Sequence, residues 1–129
     1  EKKIKINTPE DLQKYQIGVV RDDVAQQLIE KIGSKDNIQP VADNLVNIKK
    51  IQTGRIDLWG YAEFCALWQV KTSGNNPADF EVVYVLDEGN LEFAFHKDTP
   101  DEIIKVMQKA LDKLIADGTH QKILDKYLK

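Results

Sequence analysis

The sequence has little of what marks a metal-binding, disulfide-stabilised or membrane-spanning protein. Its 129 residues include one cysteine and two histidines, and its apolar runs are far too short to span a bilayer. Cys65 stands alone, which excludes an internal disulfide, and its apolar neighbours predict a buried structural thiol. His96 and His120 lie far apart with no other ligand types at suitable spacing. We therefore expect no metal site.

An excess of either charge is also missing. The chain carries 18 basic and 21 acidic residues, for a net charge of -3. They are interspersed, so nothing favours nucleic-acid binding. The sequence contains no nucleophile elbow, phosphate-binding loop, dinucleotide glycine motif or pair of catalytic acids. We expect neither an enzyme nor a cofactor. Residues 1–6 lack the apolar core of a signal peptide, so we expect any export leader to lie outside this chain.

The segments that are present alternate between strand and helix patterns. Apolar residues make up 42% of the chain and charged residues 30%, which is typical of a folded soluble protein. Apolar β-branched runs predict strands at 15–20, 38–42, 56–61, 81–86 and 91–96. Helical spacing predicts helices at 24–32, 43–54, 62–72, 100–117 and 119–129, with Thr99 as the cap of the fourth. This order predicts an α/β fold with a largely parallel sheet and right-handed crossovers.

Ligands of such sheets lie beyond the carboxyl ends of the strands, which directs attention to two loops. The first contains Arg21, Asp22 and Asp23, where backbone N–H groups at a helix N-terminus favour an anion such as a solute carboxylate. Arg21 would add a bidentate contact to that carboxylate. The alternative is that Asp22 and Asp23 are helix caps and that Arg21 pairs with one of them.

The second loop contains Trp59, Gly60, Tyr61 and Glu63. Two aromatic residues flank a glycine at the end of a strand, and a carboxylate follows in the first helical turn. Aromatic walls with a few placed polar groups are what a cleft for a small solute requires. An ammonium group would lie over a ring or against Glu63. The alternative is that Trp59 packs in the core and Glu63 caps the helix.

Several motifs occur in the order and spacing of one protein family. They are the opening at 10–20, the Gly-Arg-Ile-Asp sequence at 54–57, Tyr-Val-Leu at 84–86, the run at 91–96, Lys-Asp-Thr-Pro-Asp-Glu at 97–102 and the closing sequence at 116–127. On these motifs the chain resembles the extracytoplasmic solute-binding proteins of ABC transporters, of the amino-acid-binding type. The resemblance covers only the C-terminal half of that family.

The resemblance implies a type II periplasmic-binding-protein-like fold, in which two α/β lobes close on a solute. Residues 1–86 would form the second lobe, a three-layer α/β domain. Residues 87–129 would form the crossover strand and the C-terminal helices that belong to the first lobe. The implied partners are a small polar solute, such as an amino acid, and an ABC permease in the membrane. The implied location is periplasmic or extracytoplasmic.

The chain departs from the family at two positions that the resemblance would place in the site. Asp22 and Asp23 stand where relatives often have Gly-Thr or Gly-Ser, and Ala62 stands where relatives often place an aspartate. The remainder of the first lobe, which the C-terminal helices would cover, is not in this sequence. We therefore expect these helices to pack elsewhere on the lobe or to form a swapped homodimer. The alternative function is a stand-alone or domain-swapped α/β interaction domain that has lost solute binding.

Overall fold

The computed structural model describes residues 3–33 and 35–128 and divides the chain into two compact units. These units are Glu1–Glu88 and Gly89–Lys129. The division falls two residues after the predicted boundary between 86 and 87. The assignment of the two units to the two lobes stays a prediction.

The first unit alternates strands and helices in the predicted order. It contains the strands β1, β2 and β3, the helices α1, α2 and α3, and two short 3₁₀ helices. In chain order these are a 3₁₀ helix at Pro9–Lys14, β1 at Ile17–Val20, α1 at Val24–Lys31, β2 at Ile38–Val41, α2 at Asn44–Gln52, β3 at Leu58–Trp59, α3 at Glu63–Thr72 and a 3₁₀ helix at Pro77–Asp79.

The three strands form a parallel sheet in the order β2-β1-β3. Ile17 pairs with Ile38 on one side and with Leu58 on the other. The central strand β1 is almost fully buried, as expected for a parallel strand covered on both faces. The mixed α/β fold with a parallel sheet is thus confirmed.

The two faces of β1 are packed differently. Ile17 and Val19 lie in an apolar cluster with Leu12, Ile29 of α1 and Leu58. On the other face, Gly18 lies directly against Asn47 of α2 and Ile56. Helices therefore cover both faces of the sheet. Each strand is followed within a few residues by the N-terminus of a helix.

Aspartate side chains fix where α1 and α2 begin. The Asp23 carboxylate accepts a hydrogen bond from the Ala25 backbone N–H at 3.0 Å, and Asp43 accepts one from Leu45 at 2.9 Å. Such N-caps satisfy N–H groups that have no partner within the helix. Gly33 and Gly54 follow the ends of α1 and α2 with φ of 93° and 68°, a conformation that glycine adopts without strain.

The predicted strands at 81–86 and 91–96 are not formed in the described part of the chain. A strand requires a ladder partner, and these segments have none there, so their β-branched and aromatic residues do not suffice. Val83, Tyr84 and Leu86 pack against the apolar cluster of the sheet instead. In the second segment, Leu91 is 96% exposed.

The second unit contains two helices, α4 at Asp101–Ala116 and α5 at Thr119–Leu128. They are separated by Gly118, which has φ of 76°, so the predicted break is confirmed. The predicted cap Thr99 is wrong by one residue, because the N-cap is Pro100 and no side chain caps this helix. Many large apolar residues of α4 are exposed, among them Ile103, Val106 and Ile115.

Cys65 is exposed rather than buried, because it lies on the solvent-facing side of α3, whose buried residue is Val70. Within residues 3–33 and 35–128, none of the helices combines the length and the hydropathy that crossing a bilayer demands.

Candidate functional site

The carboxyl ends of the three strands form one edge of the sheet. Because the strands are parallel, Val20, Val41 and Trp59 lie at the same edge, and α1, α2 and α3 begin just beyond it. The two loops predicted to carry the site both emerge here, since β1 and β3 are neighbours. We call this region the carboxyl edge.

The first loop is held by its own side chains. The Arg21 N–H donates to the Val41 carbonyl oxygen at 2.8 Å. Asp22 has φ of 61°, a left-handed conformation that Asp tolerates better than most residues. Its N–H donates to Oε1 of Gln26 at 2.9 Å. Asp23 caps α1, so some of the backbone N–H groups that were predicted to bind a solute carboxylate already have a hydrogen-bond acceptor.

Arg21 is exposed, and its guanidinium is not paired with Asp22, with Asp23 or with any other carboxylate in the described part of the chain. The ion pair of the alternative interpretation is therefore not formed. Arg21 remains available to a ligand, and whether it binds one stays a prediction.

The second loop presents a pair of stacked aromatic rings. The ring centroids of Trp59 and Tyr61 lie 5.8 Å apart with an interplanar angle of 7°. Both residues are half-buried, so neither is simply a core residue. We call this pair the aromatic stack.

Asn44 holds the aromatic stack in place. The Trp59 indole Nε1–H donates to Oδ1 of Asn44 at 2.9 Å, and Asn44 is only 4% exposed. This residue was not among the predicted site residues. It follows the cap Asp43 as the first residue of α2, and its contact with Trp59 is not apparent from local sequence.

Gly60 brings the second loop against α1. A Cβ at this position would lie 3.0 Å from Cδ1 of Ile29 and 3.5 Å from Cβ of Ala25. The Gly60 N–H also donates to the Gly18 carbonyl oxygen at 2.9 Å. Any larger residue at position 60 would crowd α1, so the glycine favours the close approach of this loop to α1 and β1.

Glu63 is exposed in the first turn of α3. The N-cap of this helix is Ala62, whose side chain offers no hydrogen bond. All seven predicted residues thus lie at the carboxyl edge, between the end of β1 and the start of α1 or from the last residue of β3 to the first residue of α3. That they contact a solute stays a prediction.

A depression of about 430 Å³ lies along α2 and the end of α3, where a hydrogen bond of 2.6 Å joins Gln52 to Asn75. In the part of the chain that the structure describes, no three Cys, His, Asp or Glu residues are grouped to hold a metal ion.

A comparison with solved structures finds a protein described as an ancestral arginine-binding protein bound to glutamine. The two structures superpose with a TM-score of 0.63 at 20% sequence identity, over 98% of this chain. The chain spans 55% of the length of that protein. No family model and no curated protein sequence matches the chain. At this identity the likeness establishes the fold alone, a mixed α/β fold with a parallel sheet.

Proposed function

We propose that this chain is part of an extracytoplasmic solute-binding protein of an ABC transporter. Its ligand would be an amino acid or a similar small polar solute, bound at the carboxyl edge and delivered to a permease in the membrane. The observation that carries the proposal is the aromatic stack at this edge, on a fold shared with a protein described as bound to glutamine.

The residues of the carboxyl edge would each make a different kind of contact with a solute. Trp59 and Tyr61 would contact its apolar or planar part, because stacked rings offer a wide rigid surface. Arg21, Asp22, Asp23 and Glu63 would supply the polar contacts that orient it. Gly60 would keep the two loops together.

A binding role fits this site better than a catalytic one. General acid-base or nucleophilic catalysis needs a reactive group within hydrogen-bond reach of a second group that activates it. None of the hydrogen bonds among the described edge residues forms such a pair, since they join caps, backbone groups and the Trp59 indole. The compared protein is likewise described as a binding protein.

A thermal-shift screen with the natural amino acids, including glutamine and arginine, tests the proposal. A solute at a concentration 100 times its dissociation constant adds about 2.7 kcal/mol to the stability, which raises the melting temperature measurably. Tyr61→Ala should reduce the shift for the same solute, whereas Tyr127→Ala in α5 should leave it unchanged. If no small solute shifts the melting temperature of the unaltered chain, the proposal fails.

The exposed apolar residues of α4 favour a second candidate, an α/β domain that binds another protein chain. Ile103 and Val106 are each at least half exposed and lie beside Met107 in one shallow groove, and exposed apolar surface of this kind marks interaction sites. A homodimer formed through the C-terminal helices is the simplest such assembly. Solute binding and dimerisation are separate properties, and each has its own test.

A further inference from the structure

We infer that the aromatic stack is a platform for a cationic group of the solute, and that the carboxyl edge does not bind a carboxylate. This inference rests on the proposed function and narrows its ligand class. The ligand would be an organic cation, such as an amine, a guanidine or a quaternary ammonium compound.

The platform is fixed before a ligand arrives. The hydrogen bond to the nearly buried Asn44 holds the Trp59 indole, and Tyr61 stacks on it almost in parallel. The faces of such rings carry negative electrostatic potential, so a cation over them is attracted. The polar edge of the indole is already satisfied by Asn44. What it offers a ligand is therefore its ring surface and not its hydrogen-bond donor.

The helix N-termini at this edge are poor anion sites, because each already carries a carboxylate of the chain. Asp23 occupies the N-terminus of α1 and Asp43 that of α2, each bonded to a backbone N–H. The N-terminus of α3 has no side-chain cap, yet Glu63 lies in its first turn. A solute carboxylate arriving at any of the three would meet a like charge.

The charges of the connecting loops also favour a cationic ligand. The loops at 21–23, 42–43 and 60–62, with the first residue of α3, carry four carboxylates and a single basic residue, Arg21. Asp22 and Glu63 are exposed, so their carboxylates can approach a ligand. Negative potential and aromatic faces at one edge both attract a cation.

Matched pairs of ligands that differ only by a carboxylate test this inference. Agmatine is arginine without its carboxylate, and putrescine is ornithine without it. Titration calorimetry on the full chain should show that agmatine or putrescine binds, and more tightly than its carboxylate-bearing counterpart. Tyr61→Ala should weaken the binding by roughly three- to tenfold, as expected for a cation held over an aromatic ring.

Two charge-neutralising variants test whether the carboxylates of the carboxyl edge attract the cation. Glu63→Gln and Asp22→Asn should each weaken cation binding, and asparagine tolerates the left-handed conformation at position 22. Glu81→Gln removes the same charge from an exposed position outside the carboxyl edge, and it should leave the affinity unchanged.

The possible outcomes separate the inference from the proposed function. If arginine binds more tightly than agmatine and Arg21→Gln removes that difference, the edge is a carboxylate site. The inference is then overturned while solute binding stands. If cations bind but Tyr61→Ala and Glu63→Gln have no effect, the platform is wrong. If none of these four ligands binds, the inference fails, whereas the proposed function fails only if the thermal-shift screen also finds no solute that binds.

Discussion

Asn44 is the residue on which the geometry of the aromatic stack depends. Replacing it by leucine, which has a similar volume, removes the acceptor of the Trp59 indole N–H. We expect Asn44→Leu to lower the free energy of unfolding by about 1 kcal/mol, measured by urea denaturation. Fluorescence of Trp59 in a Trp68→Phe background should also shift, because the indole loses its fixed partner.

A double-mutant cycle separates this hydrogen bond from a general packing defect. Trp59→Phe removes the donor, so Asn44→Leu should cost clearly less in that background than in the unaltered chain. Equal costs in both backgrounds would show that Asn44 acts through packing alone.

Asp11 makes part of the stability dependent on pH. The Lys14 ammonium, together with the backbone N–H groups of Asn7 and Thr8, lowers the pKa of Asp11 from 3.8 to about 2. Because the folded state holds the lower pKa, its stabilisation is fully present above pH 3.8 and is lost as the pH falls toward 2. We expect Asp11→Asn to flatten the dependence of the urea midpoint on pH in this window.

An aspartate elsewhere provides the control for that experiment. Asp36→Asn makes the same change in net charge at an exposed position and controls for the effect of net charge alone. A slope that Asp11→Asn leaves intact would assign the acid sensitivity to other carboxylates.

Among single residues, caps were easier to predict from the sequence than contacts. The cap Asp43 follows directly from a polar residue placed before helical spacing, and the structure confirms it. The bond between Asn44 and Trp59 joins residues 15 positions apart, so it depends on the neighbourhood of α2 and β3. Local spacing does not contain that information. The burial of Asn47, whose amide has no hydrogen-bond partner among the described residues, could not be predicted from the sequence either.

At the scale of elements, the packing of α2 on β1 requires a glycine in the central strand. A Cβ at Gly18 would lie 2.4 Å from Oδ1 of Asn47 and 2.6 Å from Cδ1 of Ile56. Both neighbours belong to buried residues, so neither has room to move. We expect Gly18→Ala to destabilise the first unit by about 1–3 kcal/mol, measured by urea denaturation monitored by far-UV circular dichroism.

Gly89 is the matched control for this substitution. A Cβ there would meet nothing within 4 Å, so Gly89→Ala should change the free energy of unfolding by only a few tenths of 1 kcal/mol, about the size typical of surface sites. A Gly18→Ala variant as stable as Gly89→Ala would mean that α2 packs less closely on the sheet than the structure shows.

The helices could be predicted from local sequence, whereas the pairing of the extended segments could not. The pattern of α1 and its flanking residues, Asp23 and Gly33, carries both the start and the end of the helix. The run at 91–96 has the alternation of a strand, yet strand formation needs a partner whose identity no local pattern supplies. The sheet therefore has three strands in the described structure where five were predicted.

At the scale of the whole molecule, solute binding at the carboxyl edge and self-association through the C-terminal helices are independent proposals. The carboxyl edge was located from the sequence because parallel strands end together, a property of the fold and not of any one residue. The chain spans 55% of the length of the compared protein. The residues proposed to contact a solute at this edge all lie in the first unit.

The exposed apolar face of α4 leads to a prediction about self-association. Burying large apolar side chains yields roughly 1.5–3 kcal/mol each, and Ile103 and Val106 are exposed beside Met107 in one shallow groove. We expect sedimentation velocity to show a dimer whose fraction rises with concentration. The double variant Ile103→Lys and Val106→Lys should shift it to monomer, since two buried ammonium groups would lose their hydration.

The control adds the same charge to the polar face of the helix. Asp112→Lys changes the net charge by as much as the two lysines together, at a residue that bonds to Gln108 along the helix. If it dissociates the dimer as completely, the association is governed by net charge and not by the apolar face. A chain that stays monomeric at every concentration would exclude the homodimer, and with it the second candidate function in its simplest form. The solute-binding proposal would be untouched, because its residues all lie in the first unit.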